Sequence, residues 1–172
     1  MLDPSVEAGK VVKVRSNLDD ALIGICVSED AWQGGVRSVG DIAQHADKFD
    51  KTIFNIESGT GMHTALSKMI ENNVGELGDW KHLGTTTPMM LAAIKNRIAG
   101  KEWAVFGCWK PHWMATRMKI HFLESIPGAE VMISASSVYT VTRAGLGKDY
   151  PEVEKFLKNF AISSDVQSNW IY

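Results

Sequence analysis

The sequence has no apolar run long enough to cross a membrane and no marked excess of charge of either sign. Spanning a bilayer takes about 20 consecutive apolar residues, and no stretch of the 172 residues approaches that length. The 18 basic and 20 acidic side chains give a formal net charge of −2, and no basic face stands out. Nucleic acid is therefore not expected as a partner. The segment from Met1 to Pro4 is neither basic nor apolar, so no signal peptide is visible.

Cysteine is scarce, since the chain has two, Cys26 and Cys108, without metal-ligand spacing. We interpret both as buried thiols that say little about the cellular compartment. An alternative hypothesis pairs Cys108 with His112 as the nucleophile and base of a cysteine–histidine hydrolase. No acid that would orient the histidine is apparent nearby, so a structural thiol is favoured. We therefore expect a protein that is not an enzyme and that has no catalytic residue, metal or cofactor.

The apolar pattern alternates between short strands and amphipathic helices. A hydrophobic content of 45% and a charged content of 22% are ordinary values for a globular domain. The pattern predicts strands over 22–27, 52–56, 103–106 and 138–143, and helices over 62–70, 87–99 and 151–160. This alternation predicts an α/β fold, with a mixed, mostly parallel sheet and helices on both faces.

The segment 107–113 carries aromatic side chains at a predicted strand end. Residues 103–106 form an apolar run, and Gly107 is expected to end that strand. Trp109 and His112 would then lie on a turn at the carboxyl edge of the sheet, where α/β proteins bind ligands. An exposed indole face there can hold a cation. The alternative is that the two tryptophans of this segment simply cap the core.

The loop Ser58 to Gly61 lies between a predicted strand and a predicted helix. The first amides of a helix are unpaired and carry a partial positive charge, which suits an anion or a polar ligand group. Gly59 and Gly61 would let a ligand approach the backbone closely. The loop matches neither a P-loop nor a dinucleotide-binding fingerprint, and a tight turn without a ligand is the alternative. Together, the two strand-end loops suit a small zwitterion with a quaternary ammonium group.

Four segments strengthen this interpretation by their order along the chain. They are Ile56–Gly61, Met89–Ile94, Gly107–Trp113 and Val138–Leu146. In that order they resemble the substrate-binding proteins of ABC uptake systems for glycine betaine, choline and related osmolytes. The resemblance covers roughly residues 20–160.

The resemblance implies a type II periplasmic-binding-protein fold, in which two lobes close on a ligand whose ammonium group lies in a cage of tryptophans. It assigns Trp109 to the cage and His112 to the ligand's carboxylate, and it places Gly59, Thr60 and Gly61 in the loop that faces the ligand. It leaves open whether the ligand is glycine betaine, choline or a compound like proline betaine. It further implies an ABC permease and its ATPase as partners, and a periplasmic or other extracytoplasmic, membrane-associated location.

The resemblance also implies a division of the chain. Residues 1–21 would be a lead-in from the first lobe or hinge, residues 22–143 the second ligand-binding lobe, and residues 144–172 a return segment with partial first-lobe helices. The chain would then be a fragment with an incomplete cage, for which we expect weak ligand binding or none. An apolar surface left uncovered in this way would favour self-association.

Overall fold

A computed structural model describes residues 3–171, which form one mixed sheet flanked by helices. The strands are β1 (Val11–Ser28), β2 (Thr52–Asn55), β3 (Lys81–Gly84), β4 (Val105–Lys110), β5 (Ile120–Phe122) and β6 (Ser134–Arg143). The α-helices are α1 (Asp3–Glu7), α2 (Glu29–Gln33), α3 (Gly61–Glu71), α4 (Thr87–Ala99), α5 (Met114–Arg117), α6 (Leu146–Asp149), α7 (Pro151–Asn159) and α8 (Ser164–Trp170). Short 3₁₀ helices cover Val39–Asp41, Ala43–Phe49 and Val74–Glu76. Within the described residues, no helix is both long and apolar enough to cross a membrane.

The strand directions confirm a mixed, mostly parallel sheet. The order is β3-β2-β4-β1-β5, with β6 also paired to β1. Strand β2 is parallel to β3 and β4, whereas β1 is antiparallel to β4, β5 and β6. Among these strands β1 therefore runs against the other five.

Helices cover both faces of the sheet, as the alternation of strands and helices predicts. Successive residues of a strand belong to opposite cores, since Ile53 packs with α3 and Phe54 with α4. Val105 and Phe106 divide in the same way on β4. Each face thus buries its own layer of apolar side chains.

Strand β1 is much longer than the predicted strand over 22–27. Its first part pairs with β6 in a long ribbon, from Val11 opposite Arg143 to Ile23 opposite Ser134. Its last part lies between β4 and β5 in the centre of the sheet. The predicted boundary at residues 21 and 22 falls within this continuous strand, and the division into lobes stays a prediction.

Strand β4 continues through Gly107, so the prediction that this glycine ends the strand is wrong. A Cβ atom at Gly107 would lie 2.5 Å from Asn55 Oδ1 and 2.7 Å from Met62 Sδ. The glycine is therefore needed for the space it leaves beside its neighbours rather than for a turn. The strand ends at Lys110, before Pro111, which has no amide hydrogen for a ladder.

The interpretation of the two cysteines as thiols is also wrong, because Cys26 and Cys108 form a disulfide. Their Cα atoms are 5.8 Å apart, and both side chains are fully buried. Gly24 lies opposite Cys108, and Cys26 lies two residues further along β1 on the same face. The hydrolase hypothesis fails with the thiol, since a disulfide sulfur carries no proton to lose and is not a nucleophile.

Candidate ligand-binding site

A cavity of about 550 Å³ opens where β4 ends and α3 begins. Its walls are mostly apolar and come from several parts of the chain: Ala21, Ile23, Ile56, Thr60, Gly61, Met62, Trp109, Lys110, Pro111, Val131, Ser136 and Val138. The volume is in the range of small-molecule sites. The carboxyl ends of parallel strands β2 and β4 meet here because both strands point toward this edge of the sheet.

Trp109 forms an aromatic wall of the cavity. It is half-buried near the end of β4 and pairs with Ile23 of β1. The strand fixes its backbone on one side, and the ring of His112 packs edge-on at a centroid distance of 4.9 Å. This support leaves a rigid indole bordering a largely apolar space, an arrangement suited to a cation with methyl groups.

Thr60 and Gly61 bring the N-terminus of α3 to the same cavity. Thr60 is the N-cap residue, and its hydroxyl accepts a hydrogen bond from the amide of His63 at 3.2 Å. The same hydroxyl donates to the carbonyl of Glu57 at 3.0 Å, which ties the loop to the helix. The amides of Gly61 and Met62 belong to the first turn, where the helix itself offers no acceptor. Their partial positive charge favours an anionic or polar ligand group.

His112 and Gly59 lie next to the cavity rather than in its described lining. His112 is buried, and its Nδ1 accepts a hydrogen bond from the amide of Met114 at 3.2 Å. Burial lowers the pKa of His112, so its neutral form with the proton on Nε2 is favoured. Gly59 is exposed in the turn before α3 and has a φ of 91°, a conformation that favours glycine.

Trp113 belongs to the core, in agreement with the alternative in which a tryptophan of this segment caps it. It is half-buried and packs against the cluster that contains Met90 and Met114. The Lys95 ammonium lies 4.5 Å from the centroid of its ring. The two half-buried tryptophans both pack against this cluster, and they differ because Trp109 also lines the cavity.

Sequence reasoning missed the part of the lining that comes from β1, from β6 and from the end of β4. Ala21 and Ile23 reach the cavity because β1 pairs with β4 on one side and with β6 on the other. Lys110 was within the segment singled out in the sequence, but its position on a strand was not foreseen. Its Nζ lies 3.8 Å from the carboxylate of Asp20, so the edge of the cavity carries an ion pair.

The described residues, 3–171, bring no three His, Cys, Asp or Glu side chains together in an arrangement that could hold a metal ion. The chemistry of the cavity is that of recognition: an indole wall, a helix N-terminus, a lysine at the rim and apolar side chains between them.

Comparison with known proteins agrees with this geometry. A family model described as the substrate binding domain of ABC-type glycine betaine transport system matches residues 1–172. The glycine betaine/carnitine transport binding protein GbuC of Listeria monocytogenes is 27% identical over 114 residues, which are 66% of this chain and 37% of that protein.

Solved structures give the same result for the fold. An ABC-transporter choline binding protein in complex with choline aligns with a TM-score of 0.78 and 26% identity, over 99% of this chain and 59% of that one. Lactococcal OpuAC in its closed conformation with glycine betaine aligns with a TM-score of 0.76 and 27% identity, over 97% of this chain and 61% of that one. The chain thus spans about 60% of the length of these two structures and a smaller share of the Listeria protein.

Proposed function

Because the chain belongs to the family of substrate-binding domains of ABC-type glycine betaine transport systems, we propose that its cavity binds a compact quaternary-ammonium osmolyte for uptake. The observation that carries this proposal is that Trp109 and the N-terminus of α3 line the same cavity. One wall suits a cation and the other suits an anion or a hydroxyl. A small molecule with a trimethylammonium group at one end and a polar group at the other satisfies both.

The ammonium end is assigned to Trp109. A trimethylammonium group is large and weakly hydrated, so it loses little when it leaves water for an indole face, and such contacts contribute about 0.5–2 kcal/mol. Ile23, Ile56 and Met62 offer the methyl groups an apolar surface. A primary ammonium such as that of free lysine keeps its water more tightly and gains less here.

The polar end is assigned to the start of α3. The amides of Gly61 and Met62 and the charge of Lys110 all favour a carboxylate. In its neutral form His112 carries a proton on Nε2 and adds a potential donor beside Trp109. Glycine betaine, which has a carboxylate, is therefore the first ligand to test, and choline, which has a hydroxyl, is the second.

The test is a titration of the chain with glycine betaine and with choline, followed by NMR of the tryptophan indole Nε1–H signals. NMR is used because it detects weak binding, and the proposal requires this chain to bind at least weakly. We expect the Trp109 signal to shift with saturation and the exposed Trp170 signal to stay in place. If neither ligand moves the Trp109 signal at concentrations of tens of millimolar, far above the ~1 mM of weak binding, the proposal is wrong.

The proposed partners are an ABC permease and its ATPase, and the proposed location is outside the cytoplasm. The disulfide between Cys26 and Cys108 supports this location, because such bonds persist in oxidising compartments and are rare in the cytosol. A ligand held in an open cavity can be handed to a membrane permease without a chemical step. This agrees with a protein that is not an enzyme.

We also propose that the chain associates with itself through apolar side chains near its C-terminal helices. Phe156 of α7 and Trp170 of α8 expose 65% and 72% of their surface, and Tyr150 and Ile171 are also exposed. Large exposed aromatic side chains of this kind favour contact with another surface. The Phe156 and Phe160 rings lie at a tilt to each other with a centroid distance of 6.0 Å, and Phe160 is also exposed.

A further inference from the structure

A group of polar side chains lies against the cavity between β2, β3 and α3. We call Asn55, His63 and His82 the Asn55 network, and Ser67 lies next to His82 on the side away from Asn55. Asn55 is fully buried at the end of β2, and the two histidines and Ser67 are partly buried. None of them lines the cavity within the described residues, so ligand contact does not explain their presence.

The Asn55 side chain joins three parts of the fold. Its Oδ1 accepts a hydrogen bond from the amide of Ile56 at 2.8 Å, and its Nδ2 donates to the carbonyl of Met62 at 3.3 Å. The same Nδ2 lies 3.1 Å from His82 Nε2. The Ile56 amide can only donate and the Met62 carbonyl can only accept. These two partners therefore determine which side of the Asn55 side-chain amide carries the oxygen and which carries the nitrogen.

The protonation of His82 follows in turn. Its Nε2 faces the Asn55 Nδ2 donor, so this nitrogen is the acceptor and the ring proton lies on Nδ1. That proton points to Ser67 Oγ at 3.1 Å. Burial lowers the pKa of His82 to about 4, and the neighbouring His63 adds to the effect. The neutral ring that the hydrogen bonds require is thus the form present at neutral pH.

His63 completes the network from α3. Its ring centroid lies 4.1 Å from that of His82, and its Nδ1 lies 3.1 Å from the Ile56 carbonyl, which can only accept. Asn55 is therefore hydrogen-bonded to the Ile56 amide, and His63 is hydrogen-bonded to the Ile56 carbonyl. The Ile56 backbone is fixed on both sides although it lies beyond the end of β2.

The opposite side of Asn55 packs against the strand of Trp109. Gly107, two residues before Trp109, leaves the space that the Asn55 side chain and Met62 occupy, since a Cβ atom there would clash with both. The position of Asn55 therefore sets the spacing between β4 and α3. Ile56, Met62 and Trp109 are all walls of the cavity.

We propose that Asn55, supported by His82 and His63, is a positioning residue that fixes the Ile56 and Met62 walls relative to the Trp109 indole. The ligand named in its test rests on the proposed function above. The network does not touch the ligand; it determines the width of the space between the indole and the start of α3.

The test compares Asn55→Asp with Ser67→Ala in the full chain. Asn55→Asp keeps the shape but replaces the donor by a carboxylate, which repels the Met62 carbonyl and His82 Nε2. Ser67→Ala is the matched control, because it removes a hydrogen bond from the same histidine on the side away from Asn55. We expect Asn55→Asp to weaken glycine betaine binding about tenfold at pH 8, the size of one or two lost hydrogen bonds, and Ser67→Ala to stay within about twofold.

The pH profile separates positioning from a general loss of stability. In Asn55→Asp, the negative charge of the new carboxylate favours a proton on His82 Nε2. The titratable group that faces the His82 ring from α3 is His63. The proton restores a donor between the two side chains, so binding recovers as the pH falls toward about 6. Wild type and Ser67→Ala have no such recovery. Wild-type affinity in Asn55→Asp, or a loss that does not change with pH, would overturn the proposal.

Two further measurements cover the remaining outcomes. If Asn55→Asp does not fold, His82→Phe removes the acceptor of Asn55 instead, and a variant of unchanged affinity overturns the proposal. If the wild type itself binds no glycine betaine, the proposed function is wrong, and the positioning role is tested by NMR without a ligand. In ligand-free Asn55→Asp, the Ile56 amide and Trp109 indole signals should then shift as the pH changes. Signals that stay in place over the pH range would refute the positioning role.

Discussion

Cys26 of β1 is joined by a disulfide to Cys108 of β4, and Cys108 directly precedes Trp109. The bond therefore links the long strand that pairs with β6 to the strand that presents the indole. It closes a sequence separation of 82 residues within the buried core. The aromatic wall of the cavity is thus anchored covalently to the centre of the sheet.

Reduction of this disulfide is expected to destabilise the fold. Removing a native disulfide typically costs about 2–5 kcal/mol, because the unfolded chain gains freedom. Urea unfolding with and without a reductant measures the difference in the free energy of unfolding. The control is the double variant Cys26→Ala and Cys108→Ala, whose unfolding midpoint should not respond to the reductant. A midpoint of the wild type that is equally unresponsive would show that the bond contributes nothing.

Trp109→Ala is expected to abolish measurable binding of glycine betaine, and Trp109→Phe to weaken it about tenfold. The smaller ring keeps an aromatic face with a weaker attraction for cations. Trp170→Ala is the control, because Trp170 is exposed on α8 and lies outside the cavity lining. Calorimetry or NMR titration gives the affinities. Equal affinities of Trp109→Ala and the wild type would show that the Trp109 indole does not contribute to ligand binding.

Acid is expected to lower the free energy of unfolding through His82. Its pKa is about 4 in the folded chain against 6.5 when unperturbed, so the unfolded chain takes up the proton first as the pH falls. The stability contributed by neutral His82 is complete above about pH 6.5 and is lost toward pH 4. His112, whose pKa burial also lowers, acts in the same direction.

Urea unfolding at pH 7 and at pH 5 measures this effect, with His82→Phe as the comparison. The variant should lose less stability between the two pH values than the wild type does, since one of the two histidines no longer takes part. An identical loss in both proteins would mean that His82 binds its proton equally well in the folded and unfolded chains.

Much of the fold follows from local signals, whereas the site depends on distant pairing. Helix α4 begins and ends as predicted, because Pro88 near its start and Gly100 after its end act within one turn. Likewise, the 3₁₀ helix Val39–Asp41 has a local cap, in which the Ser38 amide donates to the Asp41 carboxylate at 2.8 Å. These features need no knowledge of the rest of the chain.

The disulfide, the length of β1 and the Asn55 network all depend on residues far apart in sequence. Val11 pairs with Arg143, and His82 meets Asn55, through a register that no local pattern determines. The prediction that Gly107 ends its strand was wrong because sequence alone does not distinguish a glycine that leaves space for a neighbouring side chain from one that allows a turn. Thr60 and Gly61 lie at the start of α3, as local signals predict, whereas Trp109 lies on β4 and not on the predicted turn. The ligand-binding role of these residues stays a prediction.

Self-association is expected to depend on the exposed aromatic side chains of α7 and α8. Size-exclusion chromatography over a hundredfold range of concentration should show the apparent mass rising with concentration. The double variant Phe156→Lys and Trp170→Lys should elute as a monomer throughout, because charged side chains replace the two most exposed rings of these helices. A wild type that is monomeric at every concentration would rule out association through this surface.

The most direct test of the central claim, that the cavity recognises a quaternary ammonium group, compares glycine betaine with 3,3-dimethylbutanoate. The two molecules have the same shape, and carbon replaces the charged nitrogen in the second. NMR titration of the Trp109 indole signal measures both affinities. We predict that glycine betaine binds at least about tenfold more tightly, since the attraction between cation and indole is lost in the analogue. Equal affinities, or tighter binding of the uncharged tert-butyl group, would contradict recognition of the cation by Trp109.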